Sequence, residues 1–243
     1  MAKRGEDITT FSLDAGRQLA GKYEVRGLLG KGWEGEVYHV VELGTGIDRA
    51  AKIFFPQRNP RDRAVTFYAK KLDKLRHCPL LIQYHTRDSF QFRRQRVTFL
   101  VSEYFRGEPL PSLLARQRGK RLHHFEALHL LYPMMAGLDQ IHRAGEYHGD
   151  IHSENVMVNR KGLGFQLKLI DFFHWGRRTR EHVDDDICST IRVFYDALGG
   201  QKHYRSLPPE IKGICCGLKR TLIAQKFPNA RRLVEHLDGL RWG

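Results

Sequence analysis

The chain has 243 residues, 41% of them hydrophobic and 28% charged, which excludes wholesale disorder and suits one large domain or two lobes sharing a cleft. No apolar run approaches the roughly 18 residues that a membrane-spanning helix needs. Lysine and arginine number 41 against 27 acids, a formal net charge of +14, so anionic partners are favoured: nucleotides, nucleic acid, acidic or phosphorylated proteins, or a membrane surface.

Residues 1–22 have weak periodicity and are expected to form a mobile or loosely packed arm. Their first ten residues are polar, with no apolar stretch after them, so no secretory signal is expected and a cytoplasmic location is the default. Short segments rich in Val, Ile, Tyr and Phe follow at 23–29, 36–42 and 49–54. Glycine-bearing turns separate them, which predicts an antiparallel meander. A basic helix is expected over 61–75, and strands over 81–86 and 97–103 complete a five-stranded sheet. Beyond Gly107-Glu108-Pro109 the period becomes helical, at 110–118 and 125–143. The second of these carries Leu128, Leu131, Met135, Leu138 and Ile141 on one face, with Pro133 inside it. Short strands at 156–158 and 167–170 flank a Gly-rich turn, and helices at 184–198, 210–218 and 230–240 close the chain. The boundaries expected are an arm over 1–22, a mostly β lobe over 23–103 and a mostly α lobe over 104–243. Cys78, Cys188, Cys215 and Cys216 have no CxxC spacing, so neither a zinc ribbon nor a redox motif is expected.

Three constellations carry chemistry. Gly30-Lys31-Gly32-Trp33-Glu34-Gly35-Glu36-Val37 is a G-x-G-x-x-G-x-V turn between two strands. Glycines there let the backbone approach phosphate oxygens, and a following strand argues against a dinucleotide-binding fingerprint, which opens a helix. Lys52 lies between apolar residues on a central strand, where an adjacent phosphate suits its ammonium. The strongest run is His148-Gly149-Asp150-Ile151-His152-Ser153-Glu154-Asn155, with Asp171 sixteen residues further on at the end of an apolar strand. Asn155 and Asp171 suit magnesium, which prefers oxygen donors and takes few protein ligands. Asp150 suits a hydroxyl nucleophile that needs an acceptor for its proton.

Together these residues resemble the protein-kinase fold from about residue 23 to residue 240. The resemblance implies an α+β, bilobal protein-kinase-like architecture, with a five-stranded antiparallel amino-terminal lobe and a mainly helical carboxy-terminal lobe. It implies that ATP lies under Gly30, Lys31, Gly32, Gly35 and Val37, near Ala50, with Lys52 on its phosphates. Glu103-Tyr104-Phe105 is similar to the hinge that holds adenine, with Ser102 as gatekeeper and Phe105 at its end. Asp150 matches the catalytic aspartate, His152 stands where a lysine is usual, and Asn155 and Asp171 match the Mg2+ ligands. Asp186 resembles the aspartate that braces the catalytic loop.

The departures from the family pattern are also informative. H-R-D is His148-Gly149-Asp150, which with His152 resembles aminoglycoside and choline phosphotransferases. D-F-G is Asp171-Phe172-Phe173. Fourteen residues separate Asp171 from Asp186, too few for a long, phosphorylation-switched activation loop. No glutamate lies between Gln57 and Arg76, and the family alignment puts Tyr68 where the partner of Lys52 belongs; Asp171 or Glu34 are the candidate substitutes. The expected activity is Mg2+-dependent transfer of the ATP γ-phosphate to a hydroxyl, with protein Ser/Thr favoured. A small-molecule hydroxyl kinase and a pseudokinase acting as a nucleotide- or protein-binding module are the alternatives. Arg177, Arg178 and Arg180 fit either a solvated loop or a site for an acidic or phosphorylated acceptor. No specific nucleic-acid binding is expected.

Overall fold

The computed structural model describes residues 7–162, 164–172 and 176–240. The chain divides into two compact units. One comprises the residues up to Arg76 together with Ile82–Phe105; the other comprises His77–Leu81 and the residues from Arg106 onward.

The first unit is built on a six-stranded antiparallel sheet of β1 (Gln18–Leu19), β2 (Tyr23–Lys31), β3 (Gly35–Glu42), β4 (Asp48–Phe54), β5 (Tyr84–Phe92) and β6 (Gln95–Glu103), in the order β1-β2-β3-β4-β6-β5. Strands β2, β3 and β4 follow the expected meander, and β6 lies where the last strand was expected. The strand expected over 81–86 is β5 at Tyr84–Phe92, since Leu81 bridges instead to Leu169 and Arg93 and Arg94 form the tight turn into β6. The sixth, β1, is two residues long and pairs Gln18 with Glu24 and Leu19 with Tyr23, too short to show any alternation in sequence. Side chains alternate across β3 and β4, so Tyr38, Val40, Ala51 and Ile53 face one side of the sheet and are buried there with Val97, Phe99 and Val101 of β6.

That face is covered by residues 7–22, which are therefore not the loosely packed arm expected from sequence. Ile8, Phe11, Leu13 and Leu19 are all buried in the core cluster, and the Phe11 ring stacks on Phe55 at 5.3 Å and meets Phe92 edge-on at 5.2 Å. The weak periodicity has a simple cause: a segment laid irregularly over a sheet buries residues wherever the surface accepts them, with no helical or strand period.

A buried carboxylate ties this segment down. Glu36, only 1% exposed, accepts hydrogen bonds from Thr10 Oγ1 at 2.7 Å, the Phe11 amide at 3.1 Å and Tyr38 Oη at 2.5 Å. Burial by itself pushes the Glu36 pKa up, but these donors and nearby Lys31 outweigh it and hold the carboxyl below its ordinary value. Burial and the bond to Glu36 push the Tyr38 phenol up to about 12.

Helix α1 (Arg63–Lys74) completes the unit. It begins two residues later than expected, because Arg61 and Asp62 take left-handed φ values of 55° and 56° and cannot continue a right-handed helix. Its inward face carries Ala64, Val65, Tyr68 and Leu72, an i, i+1, i+4, i+8 set that lies along one side of a helix.

The second unit is mainly helical: α2 (Leu110–Arg116), α3 (His124–Arg143), α4 (Arg180–Ala197), α5 (Gly200–Tyr204), α6 (Pro209–Cys215), α7 (Arg220–Lys226) and α8 (Ala230–Asp238). Helix α3 runs through Pro133 without interruption and packs against α4 and α8. Its buried residues include Leu130, Leu131, Met134, Met135, Leu138 and Ile141. Gly137 lets Leu80 approach the helix, since a Cβ there would meet the Leu80 side chain at 2.5 Å. A small sheet of β7 (Glu108–Pro109), β8 (Val156–Lys161) and β9 (Gly164–Leu169) lies beside these helices. Among the described residues no helix is long and apolar enough to cross a membrane.

Two measurements test this packing. Phe11→Ala removes a buried ring and is expected to destabilise the protein by about 3–5 kcal/mol in urea unfolding; a loosely held arm would show no change. The stabilisation from Glu36 is present above its unfolded pKa, near 4.5, and is lost as pH falls through the lower folded value. The stability difference between wild type and Glu36→Gln should therefore shrink as the solution is acidified.

Candidate functional site

In the first unit the register of the sheet gathers several of the sequence-predicted residues. Val37 pairs with Lys52, and Ala50 pairs with Ser102. Paired residues share a face, so Val37, Ala50, Lys52 and Ser102 all lie on the side opposite the aromatic core. Glu103 ends β6. Its amide donates to the Gln83 carbonyl at 2.9 Å, and its Oε1 accepts from the Gln83 amide at 2.9 Å. Tyr104 stacks on His39 at 4.2 Å between ring centres, and Phe105 is the last residue of the unit.

The glycine run forms a tighter hairpin than its motif suggests. Gly30 pairs with Val37 and Lys31 with Glu36, so only residues 32–34 turn. The Lys31 ammonium lies 3.7 Å from Glu36 Oε1. Gly35 is required by packing, because a Cβ there would sit 2.0 Å from the Ile53 carbonyl oxygen. Gly30 and Gly32 face open space. The fold of this unit makes no such steric demand at those two positions, as is suitable where a backbone must come close to another molecule.

Lys52 has partners. Its Nζ donates to Glu34 Oε2 at 3.0 Å and to Tyr68 Oη at 3.4 Å, while Tyr68 Oη donates to the same Glu34 oxygen at 2.8 Å. Glu34, one of the two substitutes considered from sequence for the missing helix glutamate, makes such a contact. Tyr68 is a participant that motif matching marked only as a mismatch.

In the second unit the loop after α3 is braced from α4. Asp186, 1% exposed, accepts from the His148 amide at 2.8 Å, the Gly149 amide at 2.8 Å and His142 Nε2 at 3.0 Å. Burial pushes its pKa up, and the bonds from His142 and the two amides, with the nearby His148 ring, more than offset this and hold it below its ordinary value. His142 is buried on Asp186, a pairing that no local spacing could reveal.

From this brace the loop carries Asp150 out to a carboxylate with 47% side-chain exposure. The Asn155 side-chain nitrogen donates both to the Asp150 backbone oxygen at 2.9 Å and to Asp150 Oδ2 at 3.1 Å. The His152 ring lies 3.7 Å from the same oxygen. Asn155 begins the path into β8, and its backbone oxygen accepts from the Ile170 amide at 3.0 Å. Asp171 therefore follows directly on a residue bonded to Asn155. It takes φ 52°, a conformation aspartate adopts more readily than most residues. Phe172 is buried, with its ring 4.8 Å from that of His148. Asp150, Asn155 and Asp171 thus belong to one neighbourhood. The third position of the D-F-G-like run, Phe173, lies outside the described residues.

The donor set matches a hard cation. With the Asn155 amide nitrogen engaged on Asp150, its amide oxygen is the end suited to a metal, and Asp171 adds an exposed carboxylate. One amide and one carboxylate are typical of magnesium that shares its remaining sites with water and phosphate.

The family model of the protein kinase domain matches residues 23–204. The chain is 31% identical over 159 residues to a probable serine/threonine-protein kinase of Streptomyces coelicolor, covering 64% of this chain and 23% of that one. It is 32% identical over 224 residues to CBL-interacting protein kinase 29 of Oryza sativa subsp. japonica, covering 88% and 48%. The chain thus spans from about a quarter to about half of the length of these curated relatives. The crystal structure of the PknI kinase domain of Mycobacterium tuberculosis is similar with a TM-score of 0.65 at 21% identity, over 93% of this chain and 99% of that one. A double mutant of the same domain gives 0.67 at 20%, over 94% and 98%. The two units therefore have the α+β protein-kinase fold, and the chain belongs to the protein kinase family.

Proposed function

We propose that the chain transfers the γ-phosphate of ATP to a hydroxyl group, with serine or threonine of a protein as the acceptor. The observation that carries this reading is the Asp150 carboxylate: it is half exposed, oriented by Asn155, and carried on a loop held by the buried Asp186. An acceptor hydroxyl needs such a positioned carboxylate to take its proton as the new bond forms. Asn155 and Asp171 would hold magnesium, which when bound neutralises charge on the phosphates. In the sheet unit, Lys52 supplies the fixed positive charge for a phosphate, and Gly30 and Gly32 supply close backbone approach. Lys31, Gly35, Val37, Ala50, Ser102, Glu103 and Phe105 would line the nucleotide, with Val37 and Ala50 offering apolar surface to a base. His152 lies near Asp150 and would help hold the acceptor side of the loop.

The acceptor reading rests on the Streptomyces coelicolor relative, named a probable serine/threonine-protein kinase, and on the basic Arg177, Arg178 and Arg180, all exposed. Arg180 is paired with Asp184 at 2.9 Å, so Arg177 and Arg178 are the better candidates for meeting an acidic acceptor. A cytoplasmic location is part of the same proposal. The fourteen residues between Asp171 and Asp186 leave little chain for an extended peptide platform. That observation keeps a small hydroxyl compound as the second acceptor class.

Asp150→Asn preserves size and the bond from Asn155 while removing the base. It is expected to lower phosphate transfer by roughly 10²- to 10⁴-fold with unchanged unfolding, measured with labelled ATP against casein and against a panel of sugars and amino alcohols. Transfer to neither class by the wild type, or full transfer by the variant, would overturn the reading.

A further inference from the structure

We propose that Glu34, at the tip of the glycine hairpin, replaces the missing helix glutamate as the positioning carboxylate of Lys52, with Tyr68 as the bridge to α1. The inference rests on the phosphotransfer reading above for its kinetic consequence, and on contacts within the first unit alone for its geometry.

The three side chains close a ring of hydrogen bonds. Lys52 donates to Glu34 and Tyr68, and the Tyr68 hydroxyl passes its proton side to Glu34. A phenol where a carboxylate is expected cannot balance an ammonium charge, but it can fix a carboxylate that does. Lys52 also lies 4.4 Å from the centre of the Tyr68 ring, so the ring face adds a cation–π attraction. Tyr68 is buried and packs on Phe54 at 5.8 Å, which removes most of its freedom before any ligand arrives.

The hairpin tip is held from its own side as well. The Phe55 amide donates to the Glu34 carbonyl at 2.9 Å, and Gly32 donates to Gly35 at 2.9 Å. The Trp33 ring lies 4.0 Å beneath the Arg58 guanidinium. The backbone of residue 34 is thereby tied to the end of β4, the strand that carries Lys52. A carboxylate so placed steers the lysine without any movement of α1.

The mechanical consequence differs from that of a helix-borne partner. Here lysine alignment is coupled to the glycine hairpin, the element proposed to lie on the phosphates. Closing the hairpin and orienting the ammonium become one event, and a swing of α1 is not the device that switches the lysine on.

Glu34→Gln keeps the shape and removes the charge. It is expected to lower kcat/KM for ATP by about 10- to 100-fold through loss of phosphate positioning, with unfolding unchanged. Glu34→Asp should recover part of the loss. The double variant Glu34→Gln/Tyr68→Glu, which moves the carboxylate onto α1, should also recover activity above Glu34→Gln alone. A merely structural role for Glu34 predicts no such rescue, and a carboxylate that blocked the phosphate site would make Glu34→Gln faster than wild type; either result overturns the proposal. Tyr68→Phe, which keeps the ring, provides a second test should the double variant fold poorly: it should lower kcat/KM less than Glu34→Gln, and an unchanged value would remove the bridge. The contact itself is read without activity by mass-spectrometric labelling of Lys52 with an amine-directed acylating reagent. Labelling should quicken roughly tenfold in Glu34→Gln, on the scale of a lost charge-assisted hydrogen bond, and an unchanged rate sinks the inference. If the wild type transfers no phosphate, the proposed function fails, while the labelling result still decides whether Glu34 holds Lys52.

Discussion

A carboxylate removed from water must find hydrogen-bond donors inside the fold, and each unit of this protein is arranged around one that does. In the sheet unit it is Glu36, which draws in Thr10, Phe11 and Tyr38. In the helical unit it is Asp186, which draws in His142 and the amides of residues 148 and 149. Neither group could stay ionised at 1% exposure without its donors. The requirement therefore runs outward: satisfying Asp186 settles where the loop to Asp150 begins, and satisfying Glu36 settles where residues 10 and 11 cross the sheet beside the glycine hairpin.

The exposed chemistry is carried on these buried anchors. Asp150 reaches solvent two residues after His148, and Asn155 orients it from the far side of the same loop. Rigid support beneath an exposed carboxylate lowers the cost of holding it in a reactive geometry, since little freedom is left to lose when an acceptor arrives. In the sheet unit the same logic applies to Lys52, a long and flexible side chain held by Glu34 and by the buried ring of Tyr68.

The absent helix glutamate shows why a motif is a statement about position, while chemistry depends on which charges meet. By position the chain lacks the partner of Lys52. By contact it has one, brought eighteen residues across the hairpin and helped by the tyrosine that occupies the empty place. The missing helix glutamate is thus offset by a contact that linear spacing does not record.

Periodicity and local punctuation made much of the architecture legible. Alternation located β2, β3, β4 and β6, the apolar stripe located α3, and the spacing of Asp150, Asn155 and Asp171 pointed to one neighbourhood, because all of these depend on residues close along the chain or on a strongly patterned motif. The short strand β1, the burial of Phe11, the pairing of His142 with Asp186 and the union of Glu34, Tyr68 and Lys52 were decided only by tertiary structure. Each joins residues whose separation carries no period, and each is selected by the need to bury a ring or to satisfy a charge once the surrounding elements have packed.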